Sequence, residues 1–116
     1  MTEKPFGIER RQHPRAPIGI IVRVLTAEGA RHFYSKDISM GGIFLMADQP
    51  LLEETHISLE IYLPLVSMPV RVNGEVVWLQ RQAPSGFAVK FTNITEGAQK
   101  LIRWVVERYL GRQAVK

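Results

Sequence analysis

The chain has no cysteine. Disulfides, thiolate metal sites and cysteine nucleophiles are therefore excluded, and the composition suits a reducing compartment. Long apolar runs are also missing: nothing approaches the roughly 20 residues needed to cross a bilayer. The opening residues, MTEKPFGIERR, lack the apolar centre of a secretory leader. A cytoplasmic protein with no membrane insertion is expected. Histidine is sparse, and His13, His32 and His56 show no metal-ligand spacing, so no metal site is expected and all three read as surface residues. His13 alone sits beside candidate binding residues. No P-loop or dinucleotide fingerprint is present. Ser39 has no identifiable base and no nucleophile-elbow context. The adjacent carboxylates Glu53 and Glu54 fall in a loop and read as a solvated corner. Nothing in the sequence supports an enzyme, and no cofactor is implied.

What is present suits one soluble globular domain: 116 residues, 46% hydrophobic and 22% charged. The formal net charge is +4, which favours anionic partners.

Residues 1–17 are polar and interrupted by Pro5, Pro14 and Pro17. They offer little apolar surface to offset ordering entropy, so an arm over 1–17 that is mobile without a partner is expected, ahead of a domain over 18–116. From Ile18 the pattern becomes strand-like. IGIIVRVL alternates, with Ile20, Val22 and Val24 on one face. RHFYSKDI reads as a second strand, SMGG as a turn whose glycines supply positive φ, and IFLMA as a third strand. HISLEIYL alternates through Ile57, Leu59, Ile61 and Leu63. VRVNGEVVWLQ is a long fifth strand with a bulge or bend at Gly74. GFAVKF alternates through Phe87, Val89 and Phe91. The period then becomes helical: Leu101, Ile102, Val105, Val106, Tyr109 and Leu110 form one stripe over about residues 95–111, with Thr95 as the cap and Gly111 at C′. The fold class is mostly β: a small six-stranded antiparallel barrel with a C-terminal helix packed on it.

Two stretches carry chemistry. In ERRQHPR, residues 9–15, Arg11 and Arg15 are separated by three residues, and Pro14 keeps His13 out of the α region, so the backbone has a fixed local shape there. In DISMGG, residues 37–42, Asp37 and Ser39 share a face if the strand geometry continues, and Gly42 lets the chain turn tightly or approach a ligand. An arginine fork matches guanine O6 and N7. A carboxylate can accept from the guanine N1–H and N2–H₂ edge. Arginine, hydroxyl and backbone N–H groups suit phosphate. The set complements a guanine nucleotide with exposed phosphates.

R-x-x-x-R followed by [D/N]-x-S-x-x-G between the second and third strands resembles the signature of PilZ domains, receptors for the bacterial second messenger cyclic di-GMP. The matching residues are Arg11, Arg15, Asp37, Ser39 and Gly42, without departure. The order of arm, six strands and helix is similar too, and GFAVKF looks like that family's glycine-led last strand. VVWLQ lies where many members carry an aromatic residue. The resemblance implies a split-barrel type of fold in which Arg11 and Arg15 grip guanine edges and phosphates, Asp37 takes a Watson–Crick edge, Ser39 contacts a phosphate and Gly42 permits the turn. Gly41 joins as a turn residue. Arg10 is a candidate to stack on a second guanine, since members of the family bind one cyclic di-GMP or an intercalated pair.

Trp78 has two readings. Val70, Val72, Gly74, Val76 and Trp78 share parity, which makes Trp78 core; a bulge at Gly74 flips it toward the ligand surface. Arg81 reads as solvated, though within reach of a phosphate. The implied partners are cyclic di-GMP and an effector protein, in motility, exopolysaccharide or related processes, with the chain a stand-alone monomer or ligand-modulated dimer. The rival reading is a PilZ-like interaction module without ligand. A barrel for single-stranded nucleic acid requires basic residues interleaved with aromatics on strands. Phe87 and Phe91 fall on the apolar face instead, so no nucleic-acid polymer is expected.

Overall fold

In a computed structural model of the chain, residues 14–115 are described. Their elements run β1 (Ile21–Thr26), β2 (Gly29–Ile38), β3 (Gly42–Met46), β4 (His56–Ile61), β5 (Val70–Gln80), β6 (Gly86–Asn93) and α1 (Glu96–Val115). The strands close a barrel in the order β1-β2-β3-β6-β5-β4, with every neighbouring pair antiparallel. The fold is the six-stranded antiparallel barrel with one C-terminal helix that the alternation predicts.

Period-2 patterning places Val22, Val24, Phe33, Leu45, Leu59, Val72, Val76, Phe87 and Val89 in one buried cluster inside the barrel. Burying each such side chain contributes about 1.5–3 kcal/mol. Phe33 and Phe87 meet edge to face at 5.1 Å between centroids. Ala98, Ile102, Val105 and Val106 of α1 belong to the same cluster. The helix starts as expected, with Thr95 Oγ1 accepting from the Ala98 N–H at 3.1 Å. Its far end differs: α1 continues through Gly111 to Val115, so Gly111 is a helical residue and not the C′ stop. Leu101, placed in the apolar stripe by spacing, is exposed, and Ala98 takes a place on the buried face.

The positive φ expected in the Ser39–Gly42 turn is found elsewhere: among the described glycines it occurs at Gly29 of the β1–β2 hairpin, φ 123°. The Ser39 turn is closed by side-chain hydrogen bonds and does not need the left-handed region.

The packed body begins before Ile18. Ala16 is fully buried and exchanges two backbone hydrogen bonds with Ile38, Ala16 N–H to Ile38 O at 2.8 Å and Ile38 N–H to Ala16 O at 3.0 Å. Ser35, pointing into the interior, fixes the residues that follow: its Oγ accepts from the Ile20 N–H at 2.8 Å and donates to Ile18 O at 2.6 Å. Of the arm expected over 1–17, the last residues are thus docked, while residues 1–13 lie outside the described residues.

Candidate functional site

The docking of Ala16 against Ile38 brings Arg15 beside Asp37, the residue before Ile38. Arg15 Nε donates to Asp37 Oδ1 at 2.9 Å, and Arg15 Nη2 contacts the same oxygen. The two side chains are 14% and 19% exposed, so the pair is largely desolvated but reachable. Both contacts converge on Oδ1. Oδ2 makes no hydrogen bond among the described residues.

Asp37 owes its position to a bulge. The β2–β3 register shifts between Ser35 and Asp37, so Lys36 is the extra residue. The shift lets Ser35 and Ile38, three apart, both stay buried, and it leaves Lys36 exposed with Nζ 5.7 Å from the centroid of the Phe44 ring. β2 ends at Ile38, so the strand parity that would put Asp37 and Ser39 on one face stops short of Ser39.

Ser39 is 2% exposed and its hydroxyl works inside the turn. Oγ accepts from the Gly41 N–H at 3.2 Å and lies 3.4 Å from Gly42 O. The Ser39 N–H donates to Gly42 O at 2.9 Å. Gly41 O accepts from the Phe91 N–H at 2.9 Å, and Gly42 opens β3 opposite Lys90 of β6. The turn is therefore held on both sides, and α1 touches it as well, through Arg103 Nε and Met40 Sδ at 3.4 Å.

Trp78 faces the outside of the barrel. The register between β5 and β6 shifts twice. At Asn73/Gly74 the unpaired residue is Thr92 on β6, so β5 keeps its parity and Val76 remains buried. At Val76/Trp78 the extra residue is Val77 on β5, and that bulge reverses the parity. The flip expected at Gly74 thus happens three residues later, because only an insertion on β5 itself can turn β5. Trp78 then pairs with Ala88 and packs against Phe44, with 6.2 Å between ring centroids. Phe44, Ala88, Val77 and Trp78 form an apolar cluster separate from the core.

The structure thus brings together Arg15, Asp37, Ser39, Gly41 and Gly42, with Trp78 on the outer surface next to β3. Arg10, Arg11 and His13 lie outside the described residues. Arg81, His32 and His56 are exposed. Sequence reading missed Lys36 and Phe44. The signal for Phe44 was its parity: an aromatic residue opposite to the buried Ile43 and Leu45, two positions past Gly42. Among the described residues, no cluster of His, Asp and Glu could hold a metal, and no helix is long and apolar enough to cross a membrane.

Chemically, the site offers a carboxylate with one open oxygen, a guanidinium, a rigid glycine turn and an aromatic surface. This set suits a planar base carrying a donor edge and a phosphate.

A family model described as PilZ domain matches residues 9–108. No curated protein sequence matches significantly. Among solved structures, the chain is similar to the Bacillus subtilis inhibitor of motility MotI/DgrA, at 21% identity and TM-score 0.68, covering 92% of this chain and 53% of that one. It is similar to YcgR of Escherichia coli in complex with c-di-GMP, at 17% identity and TM-score 0.73, covering 90% and 47%. The isolated PilZ domain of the same YcgR, with c-di-GMP, matches at 14% identity and TM-score 0.69 over 92% of this chain and 98% of that one. The chain therefore spans about half the length of the first two proteins. At such identities the likeness establishes the fold.

Proposed function

The chain belongs to the PilZ domain family, and we propose that it is a receptor for cyclic di-GMP, without catalytic activity, that passes the signal to an effector protein. The observation that carries this reading is the Arg15–Asp37 pair beside the Ser39–Gly42 turn. YcgR of Escherichia coli, a solved relative of similar fold, holds c-di-GMP both in the longer chain and in its isolated PilZ domain. A bacterial, cytoplasmic setting goes with the same reading.

Asp37 would accept the guanine N1–H and N2–H₂ donors. One of its oxygens already holds Arg15, so the incoming base either shares Oδ1 or releases the guanidinium toward a phosphate or a guanine edge. Ser39 would reach a phosphate by exchanging its long contact with Gly42 O. Gly41 and Gly42 keep Cβ atoms away from the approach. Arg11 would supply the second grip, and Arg10 the stacking surface for a second molecule of an intercalated pair. Trp78 offers an aromatic flank. Ordering of residues 1–13 over the barrel surface on binding would create a surface present in only one of two states, which is what an effector requires.

Isothermal calorimetry on the full chain with cyclic di-GMP and with GTP tests the reading. Binding of cyclic di-GMP but not GTP is expected, weakening as salt rises. Arg11→Ala should abolish binding while cooperative thermal unfolding is kept. No heat at high micromolar cyclic di-GMP would overturn the reading and leave a PilZ-fold interaction module.

A further inference from the structure

The outer face of the barrel carries a second organised surface, away from the turn. Ile21 of β1 pairs with Tyr34 of β2, and Tyr34 pairs with Met46 of β3. On the other side, the Tyr62 N–H donates to Ile21 O at 3.1 Å, extending the β1–β4 ladder by one residue. Cross-strand partners project from the same face. Met46, Tyr34, Ile21 and Tyr62 therefore form one unbroken row over four adjacent strand positions, spanning about 15 Å at the usual strand spacing. Each is well exposed: 38%, 60%, 43% and 43% respectively.

Single exposed apolar side chains are ordinary on a soluble protein, but four in register are a contiguous patch. The parity of the strands makes the row deliberate in a physical sense. The inward partners Val22, Phe33, Leu45 and Ile61 are all buried, so the core needs nothing from this row.

The neighbouring outward row is charged. Arg23 pairs with His32 and with Glu60, and Glu60 pairs with Arg71. Glu60 is 7% exposed, with Arg23 Nη1 on Oε1 at 2.9 Å and Arg71 Nη2 on Oε2 at 3.2 Å. Both oxygens of this carboxylate are taken, and Arg71 remains 79% exposed. The row presents positive charge to solvent beside the apolar stripe. A second copy of the chain docking through the same face would bring like charges together across the two-fold. A closed barrel also offers no free strand edge, so a partner cannot bind by adding a strand and must use side chains.

We propose that the outer face of β1, β2 and β4 is a docking surface for a partner protein that presents apolar side chains flanked by carboxylates. Tyr34 and Ile21 fill its centre, where aromatic anchors carry most of the binding energy. Arg23 and Arg71 set orientation and make association salt-sensitive. The surface exists independently of nucleotide binding. It adjoins the candidate site, because Tyr34 is two residues from the Lys36 bulge that positions Asp37.

The test uses the full chain without nucleotide, so its failure is distinct from failure of the ligand reading. A phage-displayed library of short random peptides is panned against the protein. The expected winners combine aromatic or aliphatic residues with Asp or Glu, and shift the amide resonances of β1, β2 and β4. Their affinity falls by about tenfold or more in Ile21→Thr/Tyr34→Thr, whose thermal unfolding stays cooperative, and falls again with added salt. If that pair does not fold, Tyr34→Ser alone and the resonance map decide. No enrichment, peptides without acidic residues, binding unaffected by the substitutions, or shifts confined to the separate groove that Pro64 and Leu65 of the β4–β5 connection line with Trp104 and Tyr109 of α1 each overturn the proposal. So does concentration-dependent self-association that the same substitutions abolish, which would make the occupant a second copy.

Discussion

Arg15 folds its guanidinium back onto Asp37, 22 residues further along the chain, and both Nε and Nη2 meet the single oxygen Oδ1. The pair joins the two halves of the bipartite motif through a fixed contact. It depends on Ala16, whose two hydrogen bonds to Ile38 hold the backbone in place just beyond Arg15.

That contact is measurable. Hydrogen bonds to charged groups contribute about 1.5–3 kcal/mol when desolvated, and exposed ion pairs about 0–1 kcal/mol. With side chains 14% and 19% exposed, Arg15 and Asp37 fall between these limits. A double-mutant cycle with Arg15→Ala and Asp37→Ala, followed by urea unfolding, should give a coupling energy of about 1–2 kcal/mol. A coupling indistinguishable from zero would show that the pair does not form in solution. In the same cycle, either single substitution should weaken cyclic di-GMP binding by more than it changes stability, since each removes a ligand group as well as a structural one.

Much of this arrangement is readable in the sequence. Strict alternation identifies β1, β4 and β6, and the change to a helical period identifies α1, because burial on one face leaves a direct periodic trace. The candidate residues Asp37, Ser39, Gly41 and Gly42 do fall together, since a hairpin turn is local. The bulges are less legible. Lys36, Val77 and Thr92 are the unpaired residues, and none is a glycine or proline that would announce it. Gly74, the residue that does announce itself, lies at a register shift but owes its identity to close packing: a Cβ there would sit 2.5 Å from Val89 Cγ1. Partner strands decide where an extra residue is accommodated, and that pairing is not written in either strand alone. For the same reason the row of Met46, Tyr34, Ile21 and Tyr62 is invisible in one dimension, where its members are scattered over the chain.

The Val77 bulge makes a spectroscopic prediction. It turns Trp78 outward against Phe44, beside the strand that Gly42 opens. The other tryptophan, Trp104, lies on α1, with the Arg108 guanidinium 4.8 Å from its ring centroid. In a Trp104→Phe variant all indole emission comes from Trp78. Titration with cyclic di-GMP should then change emission intensity or wavelength with the same midpoint as calorimetry. In the complementary Trp78→Phe variant, Trp104 should respond little. An unchanged Trp78 signal at saturating ligand would remove Trp78 from the binding surface.

Gly111 separates two accounts of the C-terminal helix by the sign of one substitution. A C′ glycine ends a helix in the left-handed region, where alanine is strained and destabilises. A glycine inside a helix has the opposite effect on substitution, because alanine there is favoured by about 0.5–1 kcal/mol. Gly111 lies within α1, exposed, and a Cβ added to it would meet no atom within 4 Å. Gly111→Ala should therefore raise stability by about 0.5–1 kcal/mol and the thermal midpoint by a few degrees. Gly86→Ala serves as the contrast: a Cβ at that position would lie 2.1 Å from Leu45 O, a backbone atom of the adjacent β3 that cannot yield without breaking the ladder. It should destabilise by about 1–3 kcal/mol or more. Loss of stability in Gly111→Ala would mean that the helix stops where the glycine signal suggests, and that the residues beyond it are not helical in solution.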